Sequence, residues 1–314
     1  MSITLNKEQF TNQNEVRWCP GCGDYAILSA LQKTLPQLGI PPEKHVFVSG
    51  IGCSGRLPYY MNSYGYHTIH GRATAVASGL KLSRPDLNVW VITGDGDGLS
   101  IGAGHLMHLL RRNINVNILL FNNQVYGLTK GQFSPTSVPG QVTKTSPQGV
   151  NQMPVNPIQF ALGCGASFVA RSIDKDPMHL TEVLKAAHAH PGCSFIEIYQ
   201  DCHVFNAGAF DEFSTKTQRG SHTVNLEAEK PMIFSEKALI LESDRLQVST
   251  DTSNALVHDP KNLMHAMRLS QLHFPEFPVP VGVFYQNQQQ HVYAFEEQKW
   301  DKSVDKLYDL YKKN

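Results

Sequence analysis

The sequence predicts an α/β chain, a doubly wound and mostly parallel sheet followed by a C-terminal arm. Three observations predict it. Short β-branched or apolar runs alternate with stretches of helical period over the first two-thirds of the chain. The strand-like runs end at Gly, Asn or Asp. They are continuously apolar, as parallel strands covered on both faces are, and strand–helix alternation of this kind winds helices onto both sides of a sheet.

In chain order, DYAILSALQKTL (24–35) reads as a helix and HVFVSG (45–50) as the first strand. ATAVASGLKLS (73–83) is a helix whose small residues allow close packing on a sheet, and NVWVITG (88–94) is the next strand. SIGAGHLMHLLRR (100–112), NVNILLFN (115–122), MHLTEVLKAAHAH (178–190) and SFIEIY (194–199) continue the helix–strand alternation. The Gly/Pro/Ser/Thr-rich stretch between 126 and 157 is too long for a plain connector and reads as a functional loop. After about residue 206 the pattern breaks into hairpin-like pieces and a polar C-terminal helix, EEQKWDKSVDKLYDLYKK. The expected organisation is a cofactor-binding domain over 1–210 and an extension or lid over 211–314.

Lys+Arg and Asp+Glu both number 27, so no basic excess points to nucleic acid. The polar start MSITLNKEQFTNQ has no signal-peptide core, and no apolar run approaches membrane-spanning length. A cytoplasmic location is therefore expected, with no membrane partner. There the six cysteines are thiols, ligands or packing residues rather than crosslinks.

The densest motif is Gly94-Asp95-Gly96-Asp97-Gly98, between a strand and a helix, with Asn122-Asn123 ending the next strand. Ligands of open α/β sheets gather beyond the carboxyl ends of strands. Glycines let backbone approach phosphate oxygens, and the following helix offers free N–H groups. A diphosphate there needs a divalent cation, and Asp95, Asn123 and the carbonyl of Val125 make a hard-oxygen partial shell suited to Mg2+. The G-x-G-x-x-G phasing of dinucleotide sites is absent, as is a P-loop, while a bare glycine turn leaves the paired asparagines unused.

WCPGCGDYAI places Cys19 and Cys22 in a C-x2-C pair, a spacing shared by zinc sites, iron–sulfur sites and redox disulfides. Cys53 falls just beyond the first strand and Cys202 just beyond the last, at the same edge as Asp95 and Asn123. Cys193 and Cys164 read as packed thiols. Structural zinc would accept Cys19, Cys22, Cys53 and Cys202. GDG followed by NN resembles the thiamine diphosphate signature, and an iron–sulfur cluster is then the reading that chemistry favours, because a thiamine site that keeps the electrons released with CO2 needs a one-electron acceptor nearby.

WCPGCGDYAIL, GIGCSGR, HGRATAVASGLKLSRPDLNVWVITGDGDGLSIG, FNNQVYGLTKGQFSPTS and CHVFN together resemble the beta subunit of 2-oxoacid:ferredoxin oxidoreductases. The 2-oxoglutarate enzymes (2-oxoglutarate synthases) are the nearest likeness, over about residues 18–210. The resemblance implies the diphosphate-binding domain of the thiamine diphosphate-binding fold. It implies one [4Fe-4S] cluster on Cys19, Cys22, Cys53 and Cys202, and Mg2+ on Asp95, Asn123 and the Val125 carbonyl. Ile51, Gly52, Cys53, Ser54, His70, Gly71, Gly96, Asp97, Gly127 and Leu128 fall on stretches that line the cofactor. Arg56 and Lys130 match basic positions associated with the substrate carboxylates. His70 is a candidate for a phosphate hydrogen bond or proton transfer, or else a satisfied core histidine.

The implied reaction is coenzyme A-dependent oxidative decarboxylation of 2-oxoglutarate to succinyl-CoA and CO2 with reduction of ferredoxin, reversible and so able to fix CO2. The carboxylate that activates thiamine lies in the family on an alpha subunit carrying the pyrimidine-binding domain, so an (αβ)2 assembly is expected. Rival readings are a pyruvate or broad-specificity enzyme of the same chemistry, a non-oxidative thiamine decarboxylase with structural zinc, and an electron carrier without enzymatic activity.

Overall fold

The computed structural model describes residues 5–294 together with Asp309 and Lys312. The strands are β1 (His45–Ser49), β2 (Tyr64–His67), β3 (Asn88–Gly94), β4 (Asn117–Asn122), β5 (Phe168–Ile173), β6 (Ser194–Tyr199), β7 (Thr223–Leu226), β8 (Ile233–Phe234), β9 (Lys237–Glu242), β10 (Arg245–Ser249) and β11 (Val279–Gln286). The helices are α1 (Asp24–Thr34), α2 (Ala73–Ser83), α3 (Ala103–Arg112), α4 (Pro157–Gly163), α5 (Pro177–Ala189), α6 (Asp211–Ser214), α7 (Lys216–His222) and α8 (Leu263–Leu269).

Eight strands form one sheet in the order β2-β1-β3-β4-β6-β5-β11-β7. Every pairing is parallel except β5 with β11. Side chains alternate across the sheet with the period of a strand, and each face buries its own core. Val46, Val48, Val89, Val91, Ile118, Leu120, Val169 and Phe195 meet α2, α3, α4 and α8 on one face. Phe47, Trp90, Ile92, Leu119, Phe121, Ala170, Ile196 and Ile198 meet α1 and α5 on the other. The four anticipated strands therefore occupy the adjacent positions β1-β3-β4-β6, and their carboxyl ends open on one edge.

The structure departs from expectation at several points. β2, an exposed edge strand with no apolar run, and the short helix α4 were not anticipated. β5 was not anticipated, because Arg171 interrupts its apolar run; Arg171 is buried there by an ion pair with Glu197 of β6, Nε to Oε2 at 2.7 Å. The helix expected from Ser100 begins as a single π-turn, Asp97–Ile101, closed by Gly102 N–H donating to Asp97 O at 3.1 Å, with α3 following. Such widened turns recur at functional sites. The expected arm beyond residue 210 crosses into the main domain, since β7 and β11 complete the large sheet. Only β8, β9 and β10 make the separate hairpin-like layer. The C-terminal helix expected over 296–313 lies outside the described residues, Asp309 and Lys312 apart. Among the described residues no helix is long and apolar enough to cross a membrane.

Candidate active site

Two cavities adjoin at the carboxyl edge of β1, β3, β4 and β6. The first encloses about 100 Å3, and Asp95, Asn123 and Val125 all line it. Asp95 follows β3 directly and is buried; Ser134 Oγ donates to its Oδ2 at 2.5 Å and Thr136 Oγ1 at 2.6 Å. Burial still pushes its carboxyl up to about 6, the hydroxyls only partly offsetting the desolvation. Asn123 follows β4; its Oδ1 accepts from Val125 N–H at 3.2 Å and its Nδ2 donates to Gln200 Oε1 at 2.7 Å. Asp95, Asn123 and Val125 bring a carboxylate, a side-chain amide and a main-chain carbonyl to the lining of one cavity, groups of the type hard divalent cations accept.

The cofactor-lining residues fall into two groups. Ile51, Gly52, Cys53, Ser54, His70, Gly96, Asp97, Gly127 and Leu128 border this cavity, whereas Gly71 does not. Asp97 is occupied by the protein. Its Oδ1 accepts from the N–H groups of Ile51 (3.0 Å) and Gly71 (2.7 Å) and lies 2.6 Å from His70 Nδ1. Its Oδ2 accepts from Thr93 Oγ1 at 2.6 Å. Asp97 thus ties the loops after β1 and before α2 to the end of β3, and Gly71 serves the site through it. The bond to Asp97 fixes the ring of the partly exposed His70 through Nδ1 and leaves Nε2 as its second hydrogen-bonding atom. Gly50 and Gly96 are among the glycines of the site that leave no room for a side chain. A Cβ on Gly50 would lie 1.8 Å from Asp97 Oδ2, and one on Gly96 would lie 2.2 Å from the Tyr126 ring.

The second cavity encloses about 220 Å3, and Cys19, Cys22, Cys53 and Cys202 all line it, with Arg56 and Lys130 at its side. The C-x2-C pair turns tightly, Cys22 N–H donating to Cys19 O at 3.1 Å. Trp18 Nε1 donates to Cys53 O at 2.7 Å and pins that loop. A Cβ on Gly127 would stand 3.5 Å from Cys202 Sγ and 3.7 Å from Cys53 Sγ, so both sulfurs abut one point of the long loop. Burial pushes the Cys53 thiol up to about 12, with Asp24 and the other thiols adding to it. Burial, then the Asp24 charge, also pushes Cys22 up. Cys202 is raised by burial as well, and the N–H groups of Phe205, Val204 and Asn206, turned to its sulfur, offset this. All six cysteines are free thiols, Cys193 buried and Cys164 partly buried against the core.

Among the described residues no three His, Cys, Asp or Glu groups close on a point as a single ion requires. The four thiols instead surround a space several times the roughly 30 Å3 of a water molecule. Arg56 is half-buried, its Nε donating to Tyr60 Oη at 2.9 Å, and Lys130 is exposed in the left-handed region at φ 75°.

Four residues of the site were not anticipated. Ser134 and Thr136 lie in the loop flagged as functional. Gln200 borders both cavities, one position beyond a predicted strand. Asp24 is fully buried on the wall of the first cavity, and neither oxygen meets a nitrogen or oxygen donor. Burial pushes it up to about 7 against the relief offered by the Cys22 thiol. The available signals were an acid directly after C-x2-C-G and a polar residue at a strand's carboxyl end.

Residues 50–198 match the family described as thiamine pyrophosphate enzyme, C-terminal TPP binding domain. Fold and cavity thus define a thiamine diphosphate-dependent class of enzyme domain. Relatives narrow the class. The 2-oxoglutarate oxidoreductase subunit KorB of Mycobacterium tuberculosis is 50% identical over 274 residues, covering 84% of this chain and 73% of the relative. The 2-oxoacid:ferredoxin oxidoreductase subunit beta of Saccharolobus solfataricus is 38% identical over 275 residues, 86% and 82% of the two chains. A solved structure of 2-oxoglutarate:ferredoxin oxidoreductase from Magnetococcus marinus, with 2-oxoglutarate, coenzyme A and succinyl-CoA bound, superposes with a TM-score of 0.76. It is 33% identical and covers 99% of this chain and 92% of that one. The chain belongs to the beta subunits of the 2-oxoacid:ferredoxin oxidoreductases.

Proposed function

We propose that this chain is the diphosphate- and cluster-binding half of an enzyme converting 2-oxoglutarate, coenzyme A and two oxidised ferredoxins to succinyl-CoA, CO2, two reduced ferredoxins and a proton. The observation that carries this reading is the wall common to the two cavities, where Cys53, Asn123, Gly127, Leu128 and Gln200 border both. Thiamine diphosphate supplies the carbanion chemistry that releases CO2 from a 2-oxo acid, and a [4Fe-4S] cluster supplies a one-electron acceptor beside it.

Asp95, Asn123 and the Val125 carbonyl hold Mg2+ against the diphosphate, with the glycine turn at Gly96 admitting the phosphate oxygens. Cys19, Cys22, Cys53 and Cys202 hold the cluster. Coordination removes a thiol's proton, which opposes the upward push that burial gives Cys22, Cys53 and Cys202. His70, steadied by Asp97, presents its second nitrogen for a hydrogen bond to the cofactor. Arg56 and Lys130 lie on the side from which a dicarboxylic substrate approaches, and the guanidinium offers a bidentate grip on one carboxylate.

A cavity of about 100 Å3 is below the roughly 300–1,000 Å3 of a complete small-molecule site. The remaining wall, and the carboxylate that activates thiamine, come from an alpha subunit in an (αβ)2 assembly. The test is anaerobic purification of this chain with and without that partner. Iron, sulfide and thiamine are quantified, and viologen reduction is assayed on 2-oxoglutarate and on pyruvate. Brown protein, active only with the partner and with coenzyme A, and faster on 2-oxoglutarate, is the expected result. Colourless zinc protein, or robust turnover by this chain alone, overturns the proposal.

A further inference from the structure

Gln200 stands where the two cavities meet. Its backbone N–H donates to Asn122 O at 2.9 Å, continuing the pairing of β4 and β6 one step past the strands. That step places the side chain inside the dividing wall, where it is only 1% exposed. Every group of its amide is engaged. Oε1 accepts from Asn123 Nδ2 at 2.7 Å. Nε2 donates to Asp201 O at 2.7 Å and to Cys22 Sγ at 3.4 Å. A flipped amide would set its NH2 against that of Asn123 and its oxygen against a carbonyl and a sulfur, so one orientation is enforced.

The same contact fixes Asn123. With Nδ2 held by Gln200, Oδ1 is the atom left to accept from Val125 N–H, and Asn123 lines the first cavity. We propose that Gln200 is the positioning residue that couples the two cofactor sites. On one side it sets the Asn123 oxygen for the divalent cation, and on the other it gives an N–H···S hydrogen bond to the Cys22 thiolate. The inference rests on the reading above and goes beyond it, since it assigns one side chain to both sites. Hydrogen bonds to cluster sulfurs favour the reduced, more negative form and raise its potential. Loss of an outer partner of a metal ligand costs affinity for the metal.

Two variants separate the roles in the anaerobically purified complex. Gln200→Glu keeps an oxygen for Asn123 and loses the donor to sulfur; Gln200→Leu loses both without adding charge. The readouts are the cluster midpoint potential, by EPR-monitored titration, and the Mg2+ concentration that half-saturates thiamine diphosphate binding, by calorimetry. Both variants are expected to lower the reduced-to-oxidised ratio at fixed potential about tenfold, or 59 mV for one electron. Gln200→Leu alone is expected to need about 10–100-fold more Mg2+. If Gln200→Leu does not assemble, Gln200→Met, uncharged and of similar length, takes its place, because the charge added in Gln200→Glu lowers the potential by itself. Loaded variants with the wild-type potential overturn the inference and leave the proposed function standing. Wild-type complex without iron or thiamine diphosphate overturns both.

Discussion

Thr136 shows how much one hydroxyl can hold. Its Oγ1 lies 2.6 Å from Asp95 Oδ2 and 2.9 Å from Asn122 Oδ1, with Ser134 Oγ 3.2 Å away. A hydroxyl has one proton for two acceptors, so the Ser134 hydroxyl supplies Asp95 whenever Thr136 turns to Asn122. Thr136→Val removes that donor at nearly constant volume. We expect it to raise the Mg2+ needed for half-saturation of thiamine diphosphate binding about 10–100-fold, and Thr136→Ser to restore it, by calorimetric titration. Asp95 and Asn123 were legible because each directly follows a run that can only be a buried strand. Thr136 was not, because its role depends on a carboxylate 41 residues away. Gln200 was hidden for the same reason, its sulfur partner lying 178 residues back along the chain. Asp24 had a bland local reading, an acid in the first turn of α1.

At the scale of elements, β4, β6 and β5 are stitched by a buried polar chain as well as by their backbones. Asn122 Nδ2 donates to Glu197 Oε1 at 2.7 Å, and Arg171 Nε donates to Glu197 Oε2 at 2.7 Å. The Arg171 guanidinium also lies 5.0 Å from the Tyr199 ring centre and 5.2 Å from that of Phe284 on β11. Removing one charge strands the other. Glu197→Gln is expected to cost about 3–5 kcal/mol of unfolding free energy, and Glu197→Gln with Arg171→Met to recover much of it, by denaturant titration. The same pair explains why β5 escaped a reading based on apolar runs: a charge mid-strand argues for solvent until its partner on the neighbouring strand is known. β7 and β11 were illegible for a related reason. Their places are set by pairing with each other and with β5, more than a hundred residues upstream of β11. The strands at 45–49, 88–94, 117–122 and 194–199 carried their burial in their own residues.

Over the whole molecule, acid stability is expected to follow the buried histidines. His45 opens β1 between Phe10 and Trp90, and Trp90 Nε1 donates to its Nδ1 at 3.2 Å, a bond only the neutral ring can accept. Burial depresses it to about 4, and His190 and His265 likewise to about 4. The unfolded chain binds a proton on each at pH 6.5 and below, whereas the folded chain resists to about 4. Their contribution is therefore present above the unfolded value and is lost as pH falls from about 6.5 toward 4. His45→Gln is expected to have a lower Tm at neutral pH but a shallower acid slope. Its Tm loss from about pH 7 to about pH 5 should be smaller than wild type by roughly 2 °C in calorimetric scans.

Of the four thiols around the larger cavity, only Cys19 is exposed. Cys22, Cys53 and Cys202 are only partly exposed, so small oxidants and alkylating reagents are expected to meet Cys19 first. In the metal-free chain, mass spectrometry after brief iodoacetamide treatment should find Cys19 modified first and the fully buried Cys193 last. On the cluster proposed above, Cys19 is the ligand most open to solvent, so loss of iron in air is expected to start at that corner.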